Sequence, residues 1–173
     1  MEGTRAKAKR PYCFFSYSTR EPHVALLLEC CRVLFSKHYD IEVTPSSLIT
    51  GASQRDRITE LVNGCTFAIV SLDGLRANIT FEYGMLHIKN KPVLLLKEQT
   101  ARVDIESYFQ DSANLKFDPV ALNLDTQFSN VKDVNYVTWN RNSFVGTLDI
   151  LRKEFAKKKA EINPFFEPEP IWY

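Results

Sequence analysis

Short uninterrupted apolar runs that alternate with amphipathic stretches constrain the fold of this chain more than any other feature. One run occupies residues 67–70, and runs of similar character occupy 13–15 and 92–96. Such a run, without polar alternation, is typical of a strand buried on both faces of a parallel sheet. Residues 40–44 alternate apolar with polar side chains, which predicts an edge strand with one wet face. A fifth strand is predicted at 134–139.

Amphipathic helices are predicted between these strands. The first begins near Glu21, and its apolar residues recur at the spacing of one helix face: Val24, Leu27, Leu28, Cys31, Leu34 and Phe35. Further helices are predicted after the loop at 45–53, around Glu82 and from about Ser143, whereas 98–132 is expected to be mostly irregular. Strands that alternate with helices predict a three-layer α/β/α fold with a five-stranded parallel sheet in the order 2-1-3-4-5.

Composition and length predict one globular domain. The chain has 173 residues, and the domain is placed at 11–162, between a disordered basic arm at 1–10 and a tail at 163–173 rich in proline and aromatic residues. A net charge of +1 gives no reason to expect a nucleic acid or a membrane as partner. The polar, basic start is unlike a secretory signal, and no apolar run approaches the roughly 20 residues of a membrane span, so a cytoplasmic location is predicted.

The four cysteines show no CxxC spacing, which predicts small buried hydrophobes rather than metal ligands. The three histidines share no spacing with one another or with acids that predicts a metal site or a catalytic triad. No Walker A or GxGxxG pattern is present in the sequence, so nothing predicts a resident cofactor or metal.

Polar loops follow the first and third predicted strands. The order 2-1-3-4-5 places these strands side by side where the chain reverses direction, so the crevice at their carboxyl ends is the predicted ligand site. The candidate binding residues in these loops are Ser16, Tyr17, Ser18, Arg20, Asp73, Arg76 and Asn78.

Glu82 is the candidate catalytic residue. If Asn78 caps the helix, Glu82 lies at its N-terminal end, where the macrodipole favours an ionised carboxylate. Such a group can act as nucleophile or charge stabiliser when a glycosidic bond is cleaved, and a cationic pyridinium leaving group, as in NAD, needs no general acid. The alternative, that Glu82 only complements the helix dipole, has equal weight at this point.

The other candidates also have structural alternatives. Asp73 fits ribose hydroxyls or turn chemistry, and Arg20 and Arg76 fit phosphates or simple solvation. Tyr17 fits stacking on a base or packing on the first helix. Gly84 costs a helix about 1 kcal/mol relative to alanine, which indicates close backbone approach to a neighbouring strand or to a ligand.

Several segments in order resemble a TIR domain of the prokaryotic effector type. They are FFSYS at 14–18, SSLITGAS at 46–53 followed by QRDRI, FAIVSL at 67–72 and NITFEYGM at 78–85. The resemblance implies a flavodoxin-like fold and cleavage of NAD⁺, as substrate rather than cofactor, to nicotinamide and linear or cyclic ADP-ribose. Glu82 would be catalytic, with Tyr17, Ser18 and Arg20 on the nicotinamide-ribose side.

The same resemblance implies activation by self-association through the loop at 45–53, with Leu48 and Gly51 in the contact. It implies a role in immune, antiviral or stress signalling and a sensor or activator chain as partner. The family often carries an aromatic residue near the position of Asn78, and this chain does not.

A second resemblance joins LDGLRANITFEYG, residues 72–84, to the nucleoside 2-deoxyribosyltransferases, which share this fold and a glutamate nucleophile. A third hypothesis is a non-catalytic TIR-like adaptor or nucleotide sensor. The NADase is the preferred prediction. Against the transferase, the acid that its family usually carries just before the glutamate-bearing helix is Ala77 or Asn78 here, and the loop at 45–53 is left unexplained. The NADase predicts nicotinamide release, the transferase predicts base exchange on deoxynucleosides, and the adaptor predicts no turnover.

Overall fold

The computed structural model describes residues 11–46, 54–73, 76–99, 102–103, 120–121 and 136–162. Its strands are β1 (Tyr12–Ser16), β2 (Glu42–Pro45), β3 (Phe67–Ser71), β4 (Val93–Glu98), β5 (Arg102–Val103), β6 (Val120–Ala121) and β7 (Tyr136–Trp139). Its helices are α1 (Pro22–Tyr39), α2 (Gln54–Gly64), α3 (Ala77–Ile88) and α4 (Phe144–Ile162).

Five parallel strands form one sheet in the order β2-β1-β3-β4-β7, which confirms the predicted fold class and strand order. The strands β1, β3 and β4 lie inside the sheet, and their apolar runs are buried on both faces. The strand β2 lies at an edge and alternates exposed and buried residues, as its sequence predicts.

Two apolar clusters cover the opposite faces of the sheet. The helices α1 and α4 pack together on one face, and α2 and α3 pack together on the other. Neighbouring residues of a strand point to opposite faces. In β1, for example, Phe15 joins the α1/α4 cluster and Phe14 joins the α2/α3 cluster. The parity of a residue along its strand therefore decides which helices it meets.

The connection between β4 and β7 differs from the expected irregular segment, because β5 and β6 form an antiparallel pair. Strands of two residues are too short to leave a hydrophobic period in the sequence. The predicted arm at 1–10 and tail at 163–173 lie outside the described residues. Among the described helices, none is long and apolar enough to cross a membrane.

Candidate active site

Glu82 lies buried at the carboxyl edge of the sheet. It is the sixth residue of α3, and its side chain is 2% exposed. The hydroxyl of Ser16, the last residue of β1, donates a hydrogen bond of 2.5 Å to Glu82 Oε2. This bond joins the end of a central strand to the helix that follows the next strand of the sheet. The predicted catalytic residue and one predicted binding residue are thus in direct contact.

The predicted capping of α3 is wrong. The N-cap residue is Arg76, which makes no side-chain capping bond, and Asn78 is exposed inside the first turn. The first turn carries no acidic residue, because Glu82 lies in the second turn. Since the effect of the dipole fades within the first turn, the dipole contributes little to the ionisation of Glu82.

Two opposing effects set the protonation of Glu82. Burial raises the pKa of Glu82 above its ordinary value, and the hydrogen bond from Ser16 lowers it in part. A hydroxyl that donates to a carboxylate favours the ionised form and fixes the direction of its lone pairs. The pair is therefore a desolvated carboxylate with one oxygen held in place.

Asp73 is buried on the opposite side of the same edge, and both of its carboxylate oxygens have protein partners. The backbone N–H of Glu98 donates to Oδ1 at 2.8 Å, and the hydroxyl of Ser71 donates to Oδ2 at 2.9 Å. Nε2 of His23 lies 3.5 Å from Oδ2. These contacts account for the burial of Asp73 without a ligand. Its predicted contact with ribose stays a prediction.

Glu98 and Arg141 extend this polar cluster toward α4. The Glu98 side chain is 1% exposed, and Arg141 Nη2 donates to its Oε2 at 2.9 Å. The ring of His23 lies beside that of Trp139, with centroids 5.8 Å apart. We name His23, Ser71, Asp73, Glu98 and Arg141 the α1-side cluster.

The sequence prediction missed His23, Glu98 and Arg141. His23 and Asp73 are too far apart in the chain for any spacing rule, because the fold brings them together. The sequence held one signal for Glu98. It is a polar residue at the carboxyl end of a buried apolar strand, which is where the other candidates were sought.

The remaining predicted binding residues are placed in several ways. The ring of Tyr17 packs edge-on against Phe15, with centroids 5.5 Å apart. Ser18 is buried, and its hydroxyl accepts the backbone N–H of Arg20, whose side chain is exposed. Arg76 is half-buried. Their predicted contacts with a ligand stay predictions, and Leu48 and Gly51 of the predicted assembly loop lie outside the described residues.

The Ser16–Glu82 pair and the α1-side cluster flank the ends of two neighbouring strands. Ser16 of β1 pairs with Val70 of β3, the residue before Ser71. Ser16 shares the parity of Phe14 and points to the α2/α3 face, whereas Ser71 shares the parity of Ile69 and points to the α1/α4 face. Adjacent strands lie about 5 Å apart, so the two groups lie at neighbouring points of the same edge of the sheet.

The cysteines match their prediction. Cys13, Cys30, Cys31 and Cys65 are free and buried, and burial raises the pKa of Cys30 and Cys65 to about 11. Within the described part of the chain, no group of three or more metal-ligating side chains converges.

The fold and this site define a flavodoxin-like α/β protein with a buried carboxylate at the switch point of its sheet. No family model matches the sequence, and no curated protein matches it. One similar solved structure is a 2-desoxiribosyltransferase from Leishmania mexicana. It is 16% identical with a TM-score of 0.51, over 90% of this chain and 99% of that chain.

Another is a CMP N-glycosidase from Clostridium botulinum, 16% identical with a TM-score of 0.49, over 82% of this chain and 98% of that chain. At such low identity, the likeness to the first protein concerns the fold. The first protein is named as a deoxyribosyltransferase, so this likeness adds no support to the TIR resemblance.

Proposed function

We propose that this protein cleaves or transfers the N-glycosidic bond of a nucleoside or nucleotide, with Glu82 as the nucleophile. The observation that carries the proposal is the buried Glu82 carboxylate, held by Ser16 at 2.5 Å at the carboxyl edge of the central strands. A carboxylate so placed can attack an anomeric carbon and stabilise the oxocarbenium-like charge that develops there.

Burial and orientation are the properties that such a nucleophile needs. Glu82 sits away from bulk water, and the raised pKa that results is typical of functional carboxylates. Ser16 orients one oxygen, which leaves the other oxygen for the sugar. Hydrogen bonds that orient a nucleophile are a recurring part of covalent catalysis.

Two further observations favour a nucleoside substrate. The segment at 72–84 resembles the nucleoside 2-deoxyribosyltransferases, and the fold is similar to that of a protein named as a 2-desoxiribosyltransferase. NAD⁺ contains a bond of the same kind, so it belongs among the test substrates. The NAD⁺ reading now rests on the TIR resemblance alone. Self-association through 45–53 and an activator chain stay predictions.

The test is release of the free base, followed by chromatography. The wild-type protein is incubated with ribonucleosides, deoxyribonucleosides, their monophosphates and NAD⁺, with and without a second free base as acceptor. The decisive variant is Glu82→Gln, which keeps the size of the side chain and removes the nucleophile. The control is Glu60→Gln, the same change at an exposed position of α2.

We expect base release or base exchange with at least one nucleoside or nucleotide. Glu82→Gln should lower the rate on the order of 10³-fold or more, and the control should not change it. Activity that survives Glu82→Gln would refute the proposed role. Turnover of NAD⁺ alone would favour the NADase reading, and no turnover of any substrate would favour the adaptor.

A further inference from the structure

The imidazole of His23 is the most conspicuous group near the crevice that the proposed function leaves unused. Its side chain is 10% exposed, and its Nε2 has no hydrogen-bond partner among the described residues. Nε2 faces Oδ2 of Asp73 at 3.5 Å, and the ring of Trp139 lies alongside. A carboxylate opposite one ring nitrogen fixes the orientation of the imidazole.

The position of His23 relative to Glu82 is that expected of a general acid for the leaving group. Glu82 approaches the ends of β1 and β3 from the α2/α3 face, and His23 with Asp73 approaches them from the α1/α4 face. In a displacement at an anomeric carbon, the nucleophile and the leaving group lie on opposite sides of the reacting carbon. A sugar bound above these strand ends would have Glu82 on one side and the imidazole on the other.

We propose that His23 is the general acid that protonates the departing base, with Asp73 as the residue that positions it. This inference rests on the proposed function. Because Nε2 faces Asp73, Nδ1 is the nitrogen left to reach a substrate. A neutral purine or pyrimidine leaves poorly without a proton, so an acid on this side supplies the proton that the nucleophile Glu82 cannot supply.

The proposed reaction has two steps. An oxygen of Glu82 forms a bond to the anomeric carbon while the C–N bond breaks, and that electron pair goes to the base nitrogen, which takes a proton from Nδ1 of His23. The result is a glycosyl ester on Glu82, a neutral base and a neutral imidazole. A water molecule or a second base then attacks the anomeric carbon, Glu82 leaves as a carboxylate, and the attacking group loses its proton to His23.

The test compares two leaving groups. A neutral nucleoside that the wild type cleaves needs an acid, whereas nicotinamide riboside has a cationic leaving group that needs none. We expect His23→Gln to lower kcat on the neutral nucleoside about 100-fold or more, and on nicotinamide riboside by less than about threefold. Asp73→Asn should shift the two rates in the same unequal way, by a smaller factor.

Equal losses on both substrates would show that His23 is only structural and would overturn the proposal, as would an unchanged rate on the neutral nucleoside. Glu82→Gln tests the proposed function separately, because it should abolish both reactions. Thermal unfolding shows whether each variant folds.

A measurement on the wild type alone tests the same proposal if a variant fails to fold or if nicotinamide riboside is not cleaved. Nucleosides whose bases differ in basicity are compared for kcat. A protonated leaving group makes the rate nearly independent of that basicity, and a steep dependence would overturn the proposal.

Discussion

Ser16 Oγ and Glu82 Oε2 lie 2.5 Å apart, although 66 positions separate the two residues in the chain. The contact ties the last residue of a central strand to the second turn of α3. The strand end, rather than the helix dipole, provides the stabilising partner of the buried carboxylate.

Removal of this partner should shift the pH dependence of the reaction. The hydrogen bond from Ser16 lowers the pKa of Glu82 against the effect of burial, so Ser16→Ala should raise that pKa further. A nucleophile must be ionised, and activity falls as the pH drops through its pKa. We therefore expect the acidic limb of the kcat/KM profile to move to higher pH.

Ser71→Ala is the matched control for this shift. Ser71 ends the neighbouring strand, but its hydroxyl donates to Asp73 on the other face. The acidic limb should keep its position in this variant, whatever happens to the rate. An equal shift in both variants would contradict the assignment of that limb to Glu82.

Glu82→Gln should stabilise the protein at neutral pH. Folding raises the pKa of Glu82 above its unfolded value of 4.5, because ionisation is less favourable in the buried site. The folded protein therefore loses stability as the pH rises from the unfolded pKa through the folded pKa. Glutamine carries no charge, so the gain should be present at pH 7 and should vanish as the pH falls below the unfolded value of 4.5. Melting temperatures at both pH values test this. Glu60→Gln, at an exposed position, should not change either of them.

Gly84→Ala should also stabilise the protein. Among the described residues, nothing that a new Cβ at Gly84 would meet lies within 4 Å, so the predicted close approach of a neighbouring strand is wrong. Alanine in a helix interior gains about 1 kcal/mol over glycine, or about 2–4 °C in melting temperature for a chain of this size. If activity falls while stability rises, the space serves a ligand.

Gly146→Ala is the contrasting change in α4. There a Cβ would lie 2.6 Å from Oγ of Ser143, which accepts the backbone N–H of Gly146. The hydroxyl must move and lose that bond, so the helix gain should be offset. Equal gains at both glycines would show that local packing does not decide the outcome.

Arg141→Ala should destabilise the protein measurably. It removes a guanidinium 2.9 Å from the buried carboxylate of Glu98. Loss of one partner of a buried pair can cost about 3–5 kcal/mol, but Arg141 is 38% exposed and solvent screens the pair. We expect a loss of about 1–2 kcal/mol in urea unfolding.

Two variants check the cause of that loss. Glu98→Gln in the Arg141→Ala background should recover part of it, because a neutral amide needs no counter-charge. Arg152→Ala breaks an exposed pair with Asp149 and should have no measurable effect. A loss from Arg152→Ala as large as that from Arg141→Ala would contradict the role given to burial.

The sequence predicted the sheet because its central strands are buried on both faces and leave uninterrupted apolar runs. It also predicted that Glu82 and Ser16 lie at one edge of the sheet, since the loops after two central strands meet there. The N-cap of α3 was predicted at Asn78 and lies two residues earlier, at Arg76, and this error changed the physical explanation of Glu82. The contact of His23 with Asp73 could not be predicted, because only the packing of α1 against the sheet brings them together.

The four cysteines give the protein an internal reporter of unfolding. Cys13, Cys30 and Cys31 lie in the α1/α4 cluster and Cys65 in the α2/α3 cluster, each buried as a free thiol. A thiol reacts as the thiolate, so a burial-raised pKa and exclusion from solvent both protect it in the native state. Alkylation therefore records opening events, and the order in which the cysteines are modified identifies which face of the sheet is uncovered first.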